Sequence, residues 1–164
     1  MIRASRLDVT LYEEVEADRN LTVEALGVVL LGSLAYGLGV GLASEPIALV
    51  FGLAGALLSW FAYAGIAYFV GTRVLAEQTT QADWGQLLRA VGYANAPNVL
   101  LVTLFIPILG FLVYIGVSVW VLIATVLAVR QALDYRSTGR AIATSAIAWV
   151  VQIVIFSVLF AVIV

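Results

Sequence analysis

The polar residues with the most chemistry to offer lie together in one apolar region, in the run Gly92-Tyr93-Ala94-Asn95-Ala96-Pro97-Asn98. Proline cannot donate a backbone hydrogen bond, so Pro97 deprives the carbonyl of Tyr93 of its helical partner. In lipid that carbonyl must find another donor, and the side-chain amides of Asn95 and Asn98 are close enough to supply one. Two interpretations stay open: a satisfied helix kink, or a broken helix whose polar groups contact a ligand, a lipid headgroup or a partner protein.

Covalent and metal chemistry have few residues to use. The chain has no histidine and no cysteine, and all eight basic residues are arginine. These absences exclude a cysteine nucleophile, a histidine general base and metal sites built on histidine or cysteine. Serines are present, but no histidine or lysine exists to activate one. We therefore predict a protein that is not an enzyme, with no catalytic residue, cofactor or metal.

The composition is that of an integral membrane protein. Hydrophobic residues make up 63% of the chain and charged residues 11%, against about 45–50% and about 25% in soluble domains. The mean hydropathy is +1.10. We therefore expect an all-α, polytopic membrane protein. Nucleic-acid binding is not expected, because membrane topology already accounts for the arginines.

Five apolar runs are long enough to cross a hydrocarbon core about 30 Å thick. Pro107 and Gly110 divide the long uncharged stretch 90–129 into two of these runs, joined by a hairpin at 106–110. Asp83 and Gln86 fit a capping box for a helix that starts near Trp84. The predicted transmembrane domain, 25–164, has spans at about 25–42, 47–70, 90–106, 111–129 and 141–164.

The arginines predict the orientation, because basic residues in short loops stay on the cytoplasmic side. Arg3, Arg6 and Arg19 precede the first span, and the remaining five fall in two predicted cytoplasmic loops: Arg73, Arg89, Arg130, Arg136 and Arg140. With five spans the N-terminus is then cytoplasmic and the C-terminus outside. Residues 1–24 are expected to form a cytoplasmic segment with a short interfacial helix, opened by a capping box at Thr10 and with Leu7, Leu11 and Val15 on one face.

No Asp, Glu, Lys, Arg or His lies inside a predicted span, which argues against a proton-driven carrier. Small residues instead indicate close helix packing in the first two spans, at Gly37 and Gly41 and at Gly52 and Ala56. Gln152 is expected to form a hydrogen bond between helices. The same small residues would also suit self-association, and sequence leaves both uses open.

The whole chain resembles the short prokaryotic form of the Yip family, named for Ypt/Rab-interacting proteins. Gly92-Tyr93 with Pro97 is similar to the family's Gly-Tyr-x-x-x-Pro element at the entrance to the third span. The stretch 132–141 is similar to the basic loop before the last span of bacterial members. Eukaryotic members bind prenylated Rab GTPases in Golgi and endoplasmic-reticulum membranes. Here the resemblance implies the fold, a non-enzymatic role and a bacterial or archaeal plasma membrane.

Three hypotheses of function follow. The first is a non-catalytic protein that organises or scaffolds membrane components through helix packing and its cytoplasmic loops. The second is a small channel or carrier for a neutral or lipid-like substrate, which would use the broken third helix. The third is an accessory subunit of a larger membrane complex. The expected partners are the lipid bilayer and either another membrane protein or a second copy of the chain.

Overall fold

The structure is a computed structural model that describes residues 3, 7–41, 45–78 and 80–163. Every regular element among these residues is helical. The α-helices are α1 (Val9–Ala17), α2 (Leu21–Gly39), α3 (Pro46–Phe69), α4 (Trp84–Ala94), α5 (Pro107–Ala132) and α6 (Thr138–Ile163). A π-helical turn, Val70–Val74, extends α3, and a 3₁₀ helix, Ala96–Phe105, follows α4. Arg6, the end of the first predicted span at Leu42, residues 43 and 44 after it, and Val164 lie outside the described residues.

Four of these helices, α2, α3, α5 and α6, are long and apolar enough to cross a membrane. The prediction of an all-helical membrane protein is therefore confirmed. Three of the helices start three or four residues before the predicted spans, because a helix can continue past the hydrocarbon core into polar surroundings. Gly71 lies in the π-helical turn after α3, where an added Cβ would overlap the side chain of Leu133.

The third predicted span, 90–106, differs most from the sequence prediction. It comprises the end of α4 and the 3₁₀ helix, and this broken segment runs beside α2 in the same direction. Three close approaches pair successive residues of the two segments: Gly92 with Ala25, Asn98 with Gly32, and Leu104 with Gly39. The broken segment therefore follows α2 over most of its length.

A tight turn joins the 3₁₀ helix to α5, at the predicted hairpin. Ile106 has extended backbone and Pro107 begins α5, a position that suits proline because its missing N–H would have no helical partner there. A Cβ on Gly110 would lie 2.7 Å from the Cα of Leu104. Glycine at 110 thus allows the two segments to approach closely.

The short helix α1 packs on one end of the bundle rather than standing apart from it. Its N-cap is Asp8, which accepts a hydrogen bond from the backbone N–H of Thr10, so the capping box predicted at Thr10 is wrong. Leu11 and Val15 are buried, together with Tyr12. Since Tyr12 is also covered, the apolar face is wider than the predicted stripe.

Two inter-helix connections lie at the same end of the bundle. The Glu77 carboxylate accepts a hydrogen bond from the backbone N–H of Arg136 at 3.0 Å. The Tyr135 hydroxyl donates to the carbonyl of Gly71 at 2.9 Å. We call α1, the connections 75–83 and 133–137 and the neighbouring residues Arg73, Arg89, Arg130 and Arg140 together the arginine end.

Candidate functional site

The helix break lies around Pro97, between the end of α4 and the start of the 3₁₀ helix. On the N-terminal side, Asp83 and Gln86 form the predicted capping box, with hydrogen bonds of 2.9 and 2.6 Å, and α4 begins at Trp84. It ends at Ala94, and Asn95 caps it. Pro97 is fully buried in the first turn of the 3₁₀ helix. The segment is therefore a change of helix type around a buried proline, within the predicted span 90–106.

The two asparagines bond locally at this break. The side-chain amide of Asn95 donates to the carbonyl of Val91 at 2.8 Å, and that of Asn98 donates to the Asn95 side-chain oxygen at 3.0 Å. The sequence had indicated the carbonyl of Tyr93 as the group in need of a donor. The structure places the Asn95 amide on Val91 instead, because α4 ends before Pro97 and the unpaired carbonyls shift accordingly.

Gly92 and Tyr93 hold α4 against α2. A Cβ on Gly92 would lie 2.9 Å from the Cβ of Ala25 and 3.0 Å from the Trp60 ring, so this position needs glycine for close packing. The Tyr93 hydroxyl donates to the Glu24 carboxylate at 2.6 Å, near the start of α2. These two residues thus fix the entry of the broken segment into the bundle.

A cavity of about 430 Å³ lies between the membrane helices beside the break. The broken segment and α2, α3, α5 and α6 all contribute to its lining. It reaches both asparagines, and the residues that line it include no acidic or basic side chain. The polar residues on the lining are Ser33, Tyr36, Ser59, Tyr63, Asn95, Asn98, Thr125 and Gln152.

Gln152 crosses this cavity from α6 to α3. Its amide nitrogen donates to the backbone carbonyl of Ser59 at 2.9 Å and to the Ser59 hydroxyl at 2.7 Å. Its side-chain oxygen receives no hydrogen bond from the described residues. Ser59 and Thr125 were not singled out from the sequence, since a lone Ser or Thr in an apolar span gives no signal of what it faces.

The predicted packing residues have different environments. A Cβ on Gly37 would lie 2.7 Å from a methyl of Leu49, so α2 and α3 do approach closely there. Gly41 follows α2 with a positive φ of 81°, a conformation that favours glycine at a helix end. A Cβ on Gly52 would meet no described atom within 4 Å. Gly52 and Ala56 line the cavity, so Gly41 and Gly52 are not the close packing contacts that spacing had predicted.

The arginines also divide into different environments. Arg73 and Arg136 are exposed, and Arg140 donates to the carbonyl of Ala76 at 2.8 Å. Arg130 bonds weakly to the carbonyl of Tyr135, at 3.4 Å. Arg89 does not lie in an exposed loop as predicted. It is buried in α4 and donates to a backbone carbonyl of α1.

Long-range hydrogen bonds fix the arginine end. Arg89 Nε donates to the carbonyl of Val15 at 2.9 Å, and Gln131 donates to the Glu13 carboxylate at the same distance. Besides accepting from Arg136, Glu77 accepts from the backbone N–H of Ser137 at 3.3 Å and lies 3.5 Å from Arg140 Nε. Glu77 therefore binds the chain just before α6, and its position along the chain gave no signal of this long-range contact.

The described helices, the break and the uncharged cavity together define a polytopic helical membrane protein. A family model, the Yip1 domain, matches residues 16–159. The chain therefore belongs to the Yip1 domain family, and the resemblance noted in the sequence is confirmed. Comparison with curated proteins and with solved structures found no match.

Proposed function

We propose that this chain is a non-catalytic Yip-family protein that crosses the membrane five times and organises other membrane components through a fixed cytoplasmic surface, the arginine end. The membrane proposed is the plasma membrane of a bacterium or archaeon. The observation that carries the proposal is the set of long-range hydrogen bonds at that end. They hold α1 and two connections in one arrangement before any partner is bound, which lowers the entropic cost of docking.

Two connections that meet at one end of the bundle support five crossings of the membrane. Glu77 follows α3, and Arg136 precedes α6, and the two are hydrogen-bonded at one end of the bundle. The number of crossings between them must therefore be even. Since α5 is one crossing, the broken segment 84–105 supplies the other. An 11-residue α-helix and a 10-residue 3₁₀ helix extend about 36 Å if aligned, which exceeds a hydrocarbon core of about 30 Å.

The arginines support a cytoplasmic position for this end. Each arginine among the described residues lies either before α2 or near one of the two connections that meet at this end. The opposite end, with Glu45 and the turn at Ile106, has none. Short loops rich in arginine stay cytoplasmic, so the N-terminus is assigned to the inside and the end of α6 to the outside.

The amino-acid composition supports a role without catalysis. The chain has no histidine, lysine or cysteine, so a serine or threonine would have no such neighbour to activate it. The polar groups that line the cavity beside the break are amides, hydroxyls and indoles, which can bind a ligand, and no carboxylate is among them.

Single cysteines test the topology, because the natural chain has none. Gln78→Cys and Ile108→Cys place exposed thiols on either side of the broken segment. In intact cells a membrane-impermeant maleimide should label Ile108→Cys, and it should label Gln78→Cys only after the membrane is opened. Labelling of both variants from the same side would contradict five crossings.

Site-specific photocrosslinking tests the organising role. A photoreactive residue at Arg73 or Arg136 probes the arginine end, and one at Ile108, which is 81% exposed at the opposite end, is the control. We expect one membrane protein to be captured from both arginine positions and not from Ile108. We also expect the native complex of that protein to change size when the chain is deleted. Capture of no protein, or an unchanged complex, would overturn the proposal.

A further inference from the structure

The cavity beside the helix break has properties that the proposed organising role does not use. It lies within the membrane helices, whereas that role rests on the arginine end. Its volume of about 430 Å³ falls in the range of small-molecule sites, about 300–1,000 Å³. The organising role therefore does not explain this cavity.

The size of the cavity limits what can enter it. An α-helix is about 10–12 Å across and occupies roughly 800 Å³ for each 10 Å of its length. A transmembrane helix of a partner therefore cannot insert, whereas a hydrocarbon chain with a small polar end can. The lining also excludes charge. An ionised headgroup would be buried there without a counter-charge, at a large cost in free energy.

The buried part of the lining offers unused polar groups. Thr125 is 5% exposed and Gln152 is 9% exposed. The amide nitrogen of Gln152 is bonded to Ser59, but neither its oxygen nor the Thr125 hydroxyl has a hydrogen-bond partner among the described residues. A ligand hydroxyl can satisfy both groups, because a hydroxyl donates one hydrogen bond and accepts others.

The more exposed part of the lining faces the region that lipid would occupy. Tyr36 and Trp149 are 45% and 40% exposed, and the neighbouring Gly52 is exposed as well. Leu49 and Leu53 line the same side of the cavity from α3. An acyl chain can therefore lie among apolar groups while the polar end reaches inward.

We propose that this cavity binds one uncharged lipid whose polar end carries a free hydroxyl. The hydroxyl donates to the side-chain oxygen of Gln152 and accepts from Thr125, and the hydrocarbon extends past Gly52 into the bilayer. The site thus selects neutral lipids over phospholipids of the same chain length.

The test uses two photoactivatable lipids with identical acyl chains, a diacylglycerol and a phosphatidic acid, and the full chain in phosphatidylcholine nanodiscs. The diacylglycerol should label residues of the cavity lining, unlabelled dioleoylglycerol should compete with it, and the phosphatidic acid should label the lining more weakly. No labelling of the lining, labelling that does not compete, or equal labelling by both lipids would overturn the proposal.

Two glycines of α3 provide matched variants. An added Cβ meets no described atom within 4 Å at either Gly52 or Gly55, but only Gly52 lines the cavity. Gly52→Leu should abolish the competed labelling, and Gly55→Leu should retain it, with equal melting temperatures for the two. Equal labelling of both variants would identify ordinary surface lipid and overturn the proposal.

A third variant tests the polar contact itself. Thr125→Val keeps the size of the side chain and removes its hydroxyl. Loss of one hydrogen bond should weaken competition by dioleoylglycerol about fivefold. Unchanged competition would show that Thr125 does not bind the headgroup and would overturn the assignment.

Discussion

The arginine end and the region around the cavity use polar side chains in opposite ways. At the arginine end, hydrogen bonds join residues far apart in sequence, such as Arg89 with Val15 and Tyr135 with Gly71. At the helix break, the two asparagine amides bond within one turn, Asn95 to Val91 and Asn98 to Asn95. Long-range bonds fix the relative positions of elements, whereas local bonds satisfy the backbone and leave space between helices.

This difference indicates where the molecule is rigid and where it can accept a guest. A fixed surface suits docking of a partner at the proposed cytoplasmic side, and a locally satisfied cavity suits a small ligand from the bilayer. Gln152 is the exception in the cavity, because it joins α6 to α3. The comparison therefore predicts that removing a long-range hydrogen bond costs more stability than removing a local one.

The largest expected effect is at Arg89. Arg89→Met keeps much of the apolar length but leaves the carbonyl of Val15 buried without its donor, at a cost of about 1–3 kcal/mol. Arg73→Met is the control, since Arg73 is exposed. Thermal unfolding in detergent should show a lower midpoint for the first variant only. Equal midpoints would show that α1 is not held through Arg89.

Tyr135 should have the next largest effect. Its buried hydroxyl donates to the carbonyl of Gly71 and lies 3.2 Å from the Thr144 hydroxyl, so Tyr135→Phe should cost about 1 kcal/mol. The control is Tyr114→Phe, because Tyr114 is 48% exposed. Denaturant or thermal unfolding of the two variants measures the difference, and a loss as large in Tyr114→Phe would contradict it.

Gln152 tests the exception within the cavity. Gln152→Leu removes two hydrogen bonds between helices and should cost roughly 0.6–1.7 kcal/mol. Ser118→Ala removes a local bond to the carbonyl of Tyr114 and should leave the unfolding midpoint almost unchanged. If both variants unfold at the wild-type midpoint, the bond of Gln152 to Ser59 does not stabilise the bundle.

The sequence was sufficient to predict the spanning helices, because lipid requires long apolar runs with satisfied backbones. It could not distinguish α from 3₁₀ geometry after Asn95, since both satisfy the backbone and the choice depends on packing against α2. Packing also decides which glycines matter. Spacing indicated Gly37 with Gly41, whereas Gly32 and Gly39, seven residues apart and so on one face of α2, contact the broken segment.

Side-chain roles at the candidate sites were less predictable. A basic residue beside an apolar run is usually exposed, so Arg89 was assigned to a loop. Its partner, the carbonyl of Val15, is 74 residues away in sequence, and only the fold brings the two together. The run 92–98 was found because proline and amides are rare in apolar segments, but the cavity also needs Ser59 and Thr125 from other helices.

The smallest expected effect is at the N-cap of α1. Hydrogen bonds from Thr10 and from Arg3 lower the pKa of Asp8 to about 2, from an ordinary 3.8. Because the folded pKa is the lower one, the stabilisation is present above about pH 4 and is lost as the pH falls towards about 2. Asp8→Asn keeps a capping side chain without the charge, so the variant should melt slightly below wild type at neutral pH, and the gap should close below about pH 2. A gap that stays constant over this range would show that the charge of Asp8 does not hold α1 in place. It would also show that the helix is kept at the arginine end by its buried contacts alone.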